Sequence, residues 1–317
     1  MHKVFKAIID KCHILGILKG SYVWGLEFIA KRLKNQNLED KKHKYINRYL
    51  KDKYLSRIEN SSLIEKLNVN RSLADNYNIW VFWYQGEDNM PDIVKGCYMQ
   101  LKHCCSENQI VNLIHKDNID EYINFPTYIK EKLVSGQLSF THYSDILRFA
   151  LLYYYGGLWI DSTVWITEPI SNQCLNTKYW SIRLKEPLFA ISISKCKWST
   201  FIWNIKVSND LFAKYVLSFL LEYWKDEDCV IDYLLLDYVI YLIGKEYPLI
   251  GGFVFNFPKS NPNLYCLNSL LATIYSDELY HKITSDTTIF KLSYKNNLLN
   301  LDYGDKITFY SKLIKNE

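Results

Sequence analysis

Residues 144–162, SDILRFALLYYYGGLWIDS, place two aspartates and an arginine in a helix, turn and strand that are otherwise apolar. Ile146, Leu147, Phe149, Ala150, Leu151 and Leu152 make the predicted helix apolar nearly all round, which demands burial, and charged side chains are almost never fully buried without a partner or a ligand. Asp145 and Arg148 stand three residues apart on one helical face, so they can pair with each other or point together at a polar ligand. Gly156 and Gly157 end the helix, because glycine takes up the left-handed conformation of a C-cap cheaply, and LeuTrpIleAsp reads as a short buried strand ending in Asp161. In open α/β folds ligands collect at the carboxyl ends of strands, so Asp161, next to Ser162 and Thr163, is placed to meet a cation or a sugar. The alternative is an internal Asp145–Arg148 salt bridge with Asp161 as a turn-former.

Around this segment the pattern is that of an α/β domain. IWVFWY (79–84) reads as a buried first strand, with turn residues after it, a helix over Asp92–Lys102, a second strand at 110–115 and a helix starting near Asn118. This alternation implies parallel strands with crossover helices. VWIT (164–167) is expected to continue the Asp161 strand, and FAISISK (189–195) to form another. Residues 197–247 read as mainly helical, including WSTFIWNI. Short strands are expected at 250–257 and 288–295.

The first 75 residues lack strand patterns and read as two or three helices, an appendage (1–75) before the main domain (76–317). In the first helix Val4, Phe5, Ile8, Ile9, Cys12 and Leu15 share one face, with His2, Lys6, Asp10 and His13 on the other. Residues 1–54 carry 13 Lys or Arg against 5 Asp or Glu, an excess of eight positive charges in a chain whose net charge is +4, so the remainder is acidic. A basic amphipathic helix can lie on an anionic membrane surface, or the same face can pack on the main domain or a second subunit. A nucleic-acid module is disfavoured because the basic segment carries no recognition motif. No stretch reaches about 18 consecutive apolar residues and the start has no signal-peptide pattern, so a cytoplasmic protein is expected. Eight cysteines without a CxxC pair read as reduced core thiols.

The run 144–164, with the blocks at 79–101 (IWVFWYQGEDNMPDIVKGCYMQL), 197–203 (KWSTFIW) and 231–238 (IDYLLLDY), resembles the capsular polysaccharide synthesis glycosyltransferases, relatives of glycosyltransferase family 32 and, more distantly, of the large clostridial glucosylating toxins. The resemblance implies a GT-A type, Rossmann-like nucleotide-sugar-binding domain, with 197–247 as an acceptor-side helical insertion. It implies transfer of a hexose, with retention, from a UDP-sugar to a lipid-linked oligosaccharide at the inner face of the membrane. It also implies that Asp145, Arg148, Asp161 and Ser162 hold the donor, that Trp83, beside Tyr84, stacks on the base, and that Asp232 and Asp237 serve the acceptor or the anomeric carbon. On a helix, Asp232 and Asp237 would lie on different faces; the alternatives are an N-cap for Asp232 and a surface pair for Asp237.

The chain has neither a G-x-G-x-x-G nor a Walker sequence to grip phosphates with backbone amides. GT-A enzymes use a divalent cation, Mn or Mg, on a D-x-D motif, which here stands as Asp161, Ser162, Thr163. With the last carboxylate replaced by threonine, the cation would need Asp161, the diphosphate and a ligand from the C-terminal region, with His281 favoured weakly over Asp277, Asp286 and Thr288. The threonine also keeps open a second reading, a non-catalytic nucleotide-sugar-binding or scaffold subunit.

Overall fold

The computed structural model describes residues 2–69, 76–295 and 307–315, with side chains from Lys6 onward. Val4 and Phe5 of the proposed apolar face, and His2 of the opposite one, therefore lie outside the described side chains. Three helices open the chain: α1 (His2–Leu15), α2 (Ile17–Leu33) and α3 (Gln36–Leu50). They are followed by β1 (Tyr77–Phe82), α4 (Asp92–Cys104), β2 (Gln109–Ile114), α5 (Phe140–Tyr155), β3 (Gly157–Ile160) and β4 (Val164–Ile166). Then come β5 (Tyr179–Trp180), β6 (Ile202–Ile205), α6 (Leu211–Asp226), α7 (Leu235–Glu246), α8 (Asp277–Thr284) and β7 (Ile289–Lys291).

The central sheet runs β2-β1-β3-β6-β5. β1 pairs in parallel with β2 and with β3, as the alternating pattern requires, whereas β6 runs antiparallel between β3 and β5. Period-two alternation sorts the side chains by face. Trp80, Phe82, Trp159 and Trp203 join α5, α6 and α7 in one core, while Ile79, Val81, Leu158, Ile160 and Ile202 pack with α4 in the other. Trp83 packs against the second core, opposite Trp80 and Phe82 as alternation demands.

Gly157 permits the close approach of β3 to β1. Its φ is +98°, and a Cβ there would stand 2.2 Å from the Asn78 carbonyl oxygen. The preceding residue, Gly156, closes α5 by donating its N–H to the Leu152 carbonyl, and its own carbonyl accepts from the Trp80 indole at 2.8 Å.

Several expected elements differ. The segment 197–205 contains β6, a central strand, instead of a helix: all four residues Ile202–Ile205 are buried, and a fully buried strand shows a continuous apolar run that periodicity cannot tell from a buried helix. Residues 189–195 form bends and turns, and the left-handed Lys195 (φ 47°) and Cys196 (φ 62°) prevent extension there. At 250–257 the expected strand is largely a helix, Pro248–Val254, with Pro248 at its first position and Gly251 against the Gly244 carbonyl. VWIT does not prolong β3. The chain turns at Asp161–Thr163, and β4 pairs antiparallel with β7 in a separate two-stranded sheet, Val164 opposite Lys291.

The N-terminal helices share the main core. Ile46, Leu50, Tyr54 and Ile58 lie in the same apolar cluster as α5, α6 and α7. A buried ionic group accompanies them: Lys42, 1% exposed, pairs with Glu39 and lies 3.4 Å from Asp232. On the outer side of α2, Leu18, Tyr22, Ile29 and Leu33 are exposed and fall within about 60° of one another on the helical wheel. Among the described residues, no helix is long and apolar enough to cross a membrane.

Candidate functional site

The carboxyl ends of β1 and β3 open into a cleft of about 390 Å³. Trp83, Tyr84 and Gln85, following β1, form one wall, and Asp161, Ser162 and Thr163, following β3, form the floor. Lys291, Ser293 and Tyr294 from and after β7 close it. The walls are aromatic: Trp83 meets Tyr294 edge-on with ring centroids 5.4 Å apart, and Tyr84 packs on Phe140 at 4.5 Å. Trp83 is half-buried, and its indole donates to the Asn89 carbonyl at 3.2 Å.

Beneath the floor lies the charged pair of α5. Arg148 donates to Asp145 Oδ1 at 2.7 Å and reaches Asp161 Oδ1 at 3.4 Å, and its guanidinium stands 4.8 Å from the centre of the Trp159 ring. Asp145 and Arg148 are both buried and do not line the cleft. The salt bridge and the site are therefore one arrangement, because Arg148 ties the buried carboxylate to the one at the cleft floor. Burial pushes the Asp145 carboxyl above the usual carboxylate range, against the opposing pull of Arg148 and His142. At Asp161 burial acts in the same direction, but the charges of Lys291 and Arg148 and the hydrogen bonds from Trp159 and Lys291 outweigh it, so the carboxyl is held below its ordinary range.

The remaining sequence candidates fall elsewhere. Asp232 is in the turn before α7, not on the helix; its Oδ1 accepts from the Leu234 N–H at 3.0 Å and its other oxygen faces Lys42. Asp237, in the first turn of α7, is no surface residue. It is buried, accepts from the Trp198 indole at 2.7 Å, lies 2.9 Å from the Ser192 hydroxyl, and is pushed up to about 7 by burial. Neither lines the cleft, although the intervening Tyr233 does. His281 is exposed on α8 and also stays outside the lining, as do Asp277, Asp286 and Thr288.

Magnesium or manganese takes oxygen ligands, carboxylates above all, with lone pairs free to face the ion. Each Asp161 oxygen already has a donor, Oδ1 the Trp159 indole at 2.9 Å and Oδ2 the Lys291 ammonium at 2.9 Å, and that ammonium puts a positive charge where the ion would stand. Thr163 Oγ1 also accepts from Lys291, at 2.7 Å. Among the described residues no group of three or more His, Cys, Asp or Glu could hold a metal. This donor set does not fit a divalent cation.

The profile of the capsular polysaccharide synthesis proteins matches residues 27–313, most of the chain and all of the cleft. The chain belongs to the capsular polysaccharide synthesis protein family. It is 25% identical over 130 residues to the O-glycosyltransferase braB of Annulohypoxylon truncatum, covering 38% of this chain and 31% of that one. It is 29% identical over 94 residues to the O-glycosyltransferase PaGT of Phomopsis amygdali, covering 26% and 23%. The chain thus spans less than a third of the length of either curated relative. Among solved structures it is similar to the PaToxG glycosyltransferase, with a TM-score of 0.40 and 16% identity over 67% of this chain and 83% of that one.

In this family member sequence reasoning missed Lys291. A signal existed: a lysine within the apolar run IFKL is as out of place on a buried strand as Asp145 and Arg148 are on a buried helix. Phe140, Tyr233 and Tyr294 were also missed, and aromatic residues from segments so distant in sequence meet only after folding.

Proposed function

We propose that this family member is a retaining glycosyltransferase of the GT-A type that moves a hexose, galactose or glucose, from a UDP-sugar to a lipid-linked oligosaccharide during capsule assembly. The observation that carries the reading is the cleft at the carboxyl ends of β1 and β3, with an aromatic wall on one side, Asp161 and Lys291 paired in its lining, and Arg148 buried behind Asp161. Trp83 and Tyr84 offer flat apolar surface to a base. Serine hydroxyls and the Asp161 carboxylate suit sugar hydroxyls, and the basic groups suit a diphosphate. The buried Asp145–Arg148 pair acts by positioning: it fixes Asp161 from below.

Retention by front-face attack fits a cleft whose floor carries one partly exposed carboxylate, because the departing phosphate can itself accept the acceptor's proton. Tyr233, which also lines the cleft, would meet the acceptor. The outer face of α2, with Leu18, Tyr22, Ile29 and Leu33 exposed and Lys19 and Arg32 flanking them, would set the protein on an anionic membrane that carries the lipid-linked acceptor.

Nucleotide release from a panel of UDP- and GDP-sugars tests the reading without an acceptor. UDP release from one donor, lost in Asp161→Asn with the fold intact, is the expected result. Full activity of that variant would sink the assignment, and donor binding without turnover over a broad acceptor panel would favour a binding subunit.

A further inference from the structure

The cleft already contains a cation where the sequence motif calls for a metal. Lys291 projects from β7, which is pinned to the cleft floor by backbone: Val164 is its partner in the strand register, the Leu292 N–H donates to the Thr163 carbonyl at 2.9 Å, and the Lys291 N–H donates to the Leu264 carbonyl at 2.8 Å. Its ammonium bridges the first and third positions of the motif, 2.9 Å from Asp161 Oδ2 and 2.7 Å from Thr163 Oγ1. An ammonium has three N–H donors, and these two contacts leave one for a group in the cleft, which the Lys291 side chain lines at 21% exposure. A threonine at the third position makes sense in this geometry. A carboxylate there would add a second negative charge for a dication, whereas a hydroxyl accepts from an ammonium without demanding one.

We propose that Lys291 is the resident cation of this glycosyltransferase cleft: held by Asp161 and Thr163, its ammonium binds the donor diphosphate in place of a divalent metal. The inference rests on the glycosyltransferase reading above. As the bond between the anomeric carbon and the diphosphate oxygen breaks, a bond forms from the acceptor oxygen to the same carbon, and the acceptor's proton passes to the departing phosphate. Lys291 transfers no proton and donates a hydrogen bond to the oxygen that gains charge. Arg148, 3.4 Å behind Asp161 on its other oxygen, anchors that carboxylate, and the carboxylate in turn holds Lys291. A dication entering the same position would meet the fixed ammonium at contact distance, so metal and Lys291 are alternatives and do not act together.

Calorimetry of UDP and GDP binding to the full chain, in EDTA and in manganese, tests this. The wild type is expected to bind UDP with affinities that agree within about twofold in the two buffers, an energy difference well under that of one hydrogen bond. Lys291→Met is expected to weaken binding in EDTA by about tenfold or more, the loss of one charge-assisted hydrogen bond, and to recover part of it when manganese is added, since Asp161 Oδ2 is then free. Lys291→Arg keeps the charge and should retain most of the affinity; its circular dichroism and that of Lys291→Met report the fold. Wild-type binding that appears only with manganese would overturn the role of Lys291 and leave the glycosyltransferase reading standing. Wild-type affinity in a folded Lys291→Met variant would do the same. Absence of nucleotide binding in both buffers would instead bring down the glycosyltransferase reading, and this inference with it.

Discussion

Arg148 and Asp161, thirteen residues apart across the Gly156–Gly157 turn, meet at 3.4 Å beneath the cleft floor while the same guanidinium holds Asp145 at 2.7 Å. One buried cation thus serves two carboxylates. Removing it strands the Asp145 charge, and breaking a buried ion pair from one side costs about 3–5 kcal/mol. Arg148→Met should lower the urea midpoint accordingly, and Asp145→Asn added to it should restore part of the loss because no uncompensated charge then remains. Equal midpoints for the single and double variants would show that the stranded Asp145 charge is not the source of the loss.

Asp237 offers a pH signature. Its carboxyl is pushed from its ordinary value of 3.8 up to about 7 by burial, so between those values the folded state holds a proton that the unfolded state has released. Its contribution is therefore present at low pH and is lost as pH rises towards 7, with a slope of up to about 1.4 kcal/mol per pH unit for one proton. Asp237→Asn, near in shape and without a charge, should flatten that slope and be the more stable protein above pH 7. Urea titrations from pH 5 to 8 measure it, and parallel profiles for the two proteins would refute it.

Gly157 admits no side chain. Alanine there meets both a positive φ and the Asn78 carbonyl oxygen at 2.2 Å, in the parallel pairing that brings Asp161 to the cleft. Gly157→Ala should destabilise by roughly 2 kcal/mol or more and lower nucleotide affinity with it. Gly252→Ala, where a Cβ meets nothing within 4 Å, should be neutral or slightly stabilising and is the control. Thermal melts of the two variants decide the matter.

The outer face of α2 predicts behaviour with lipid. Leu18 is 88% and Leu33 64% exposed, amounts of apolar surface that a helix in water gains nothing by presenting. Sedimentation with phosphatidylserine-rich vesicles should be strong for the wild type and lost when Leu18, Ile29 and Leu33 are all changed to glutamate, with UDP affinity unchanged. Equal sedimentation of both would assign this face to something other than membrane.

What the sequence made legible was the part governed by local rules. The buried helix with its two charges, the glycine turn and the carboxylate after β3 are all where residue type and spacing put them, because burial of Asp145 and Arg148 obliges a partner nearby in sequence. The β6 strand was illegible since Ile202–Ile205 is buried on both faces and therefore has no period to read. Lys291 escaped for a different reason. Its significance comes from the β4–β7 pairing, which joins segments more than a hundred residues apart, and nothing around Lys291 in sequence announces Asp161 as its partner. Asp232 and Asp237 share a motif, yet one turns to Lys42 and the other to Trp198; proximity in a motif did not mean a common task.

The Lys42–Asp232 pairing has a consequence for biosynthesis. Lys42 leaves the ribosome about 190 residues before Asp232, an interval of roughly 10–40 s at about 5–20 residues per second. For that time α3 has the adjacent Glu39 as its ionic partner but no α6 or α7 to cover its apolar face. The apolar face of α3 therefore cannot be covered by α6 and α7 until well after the first helices have been made.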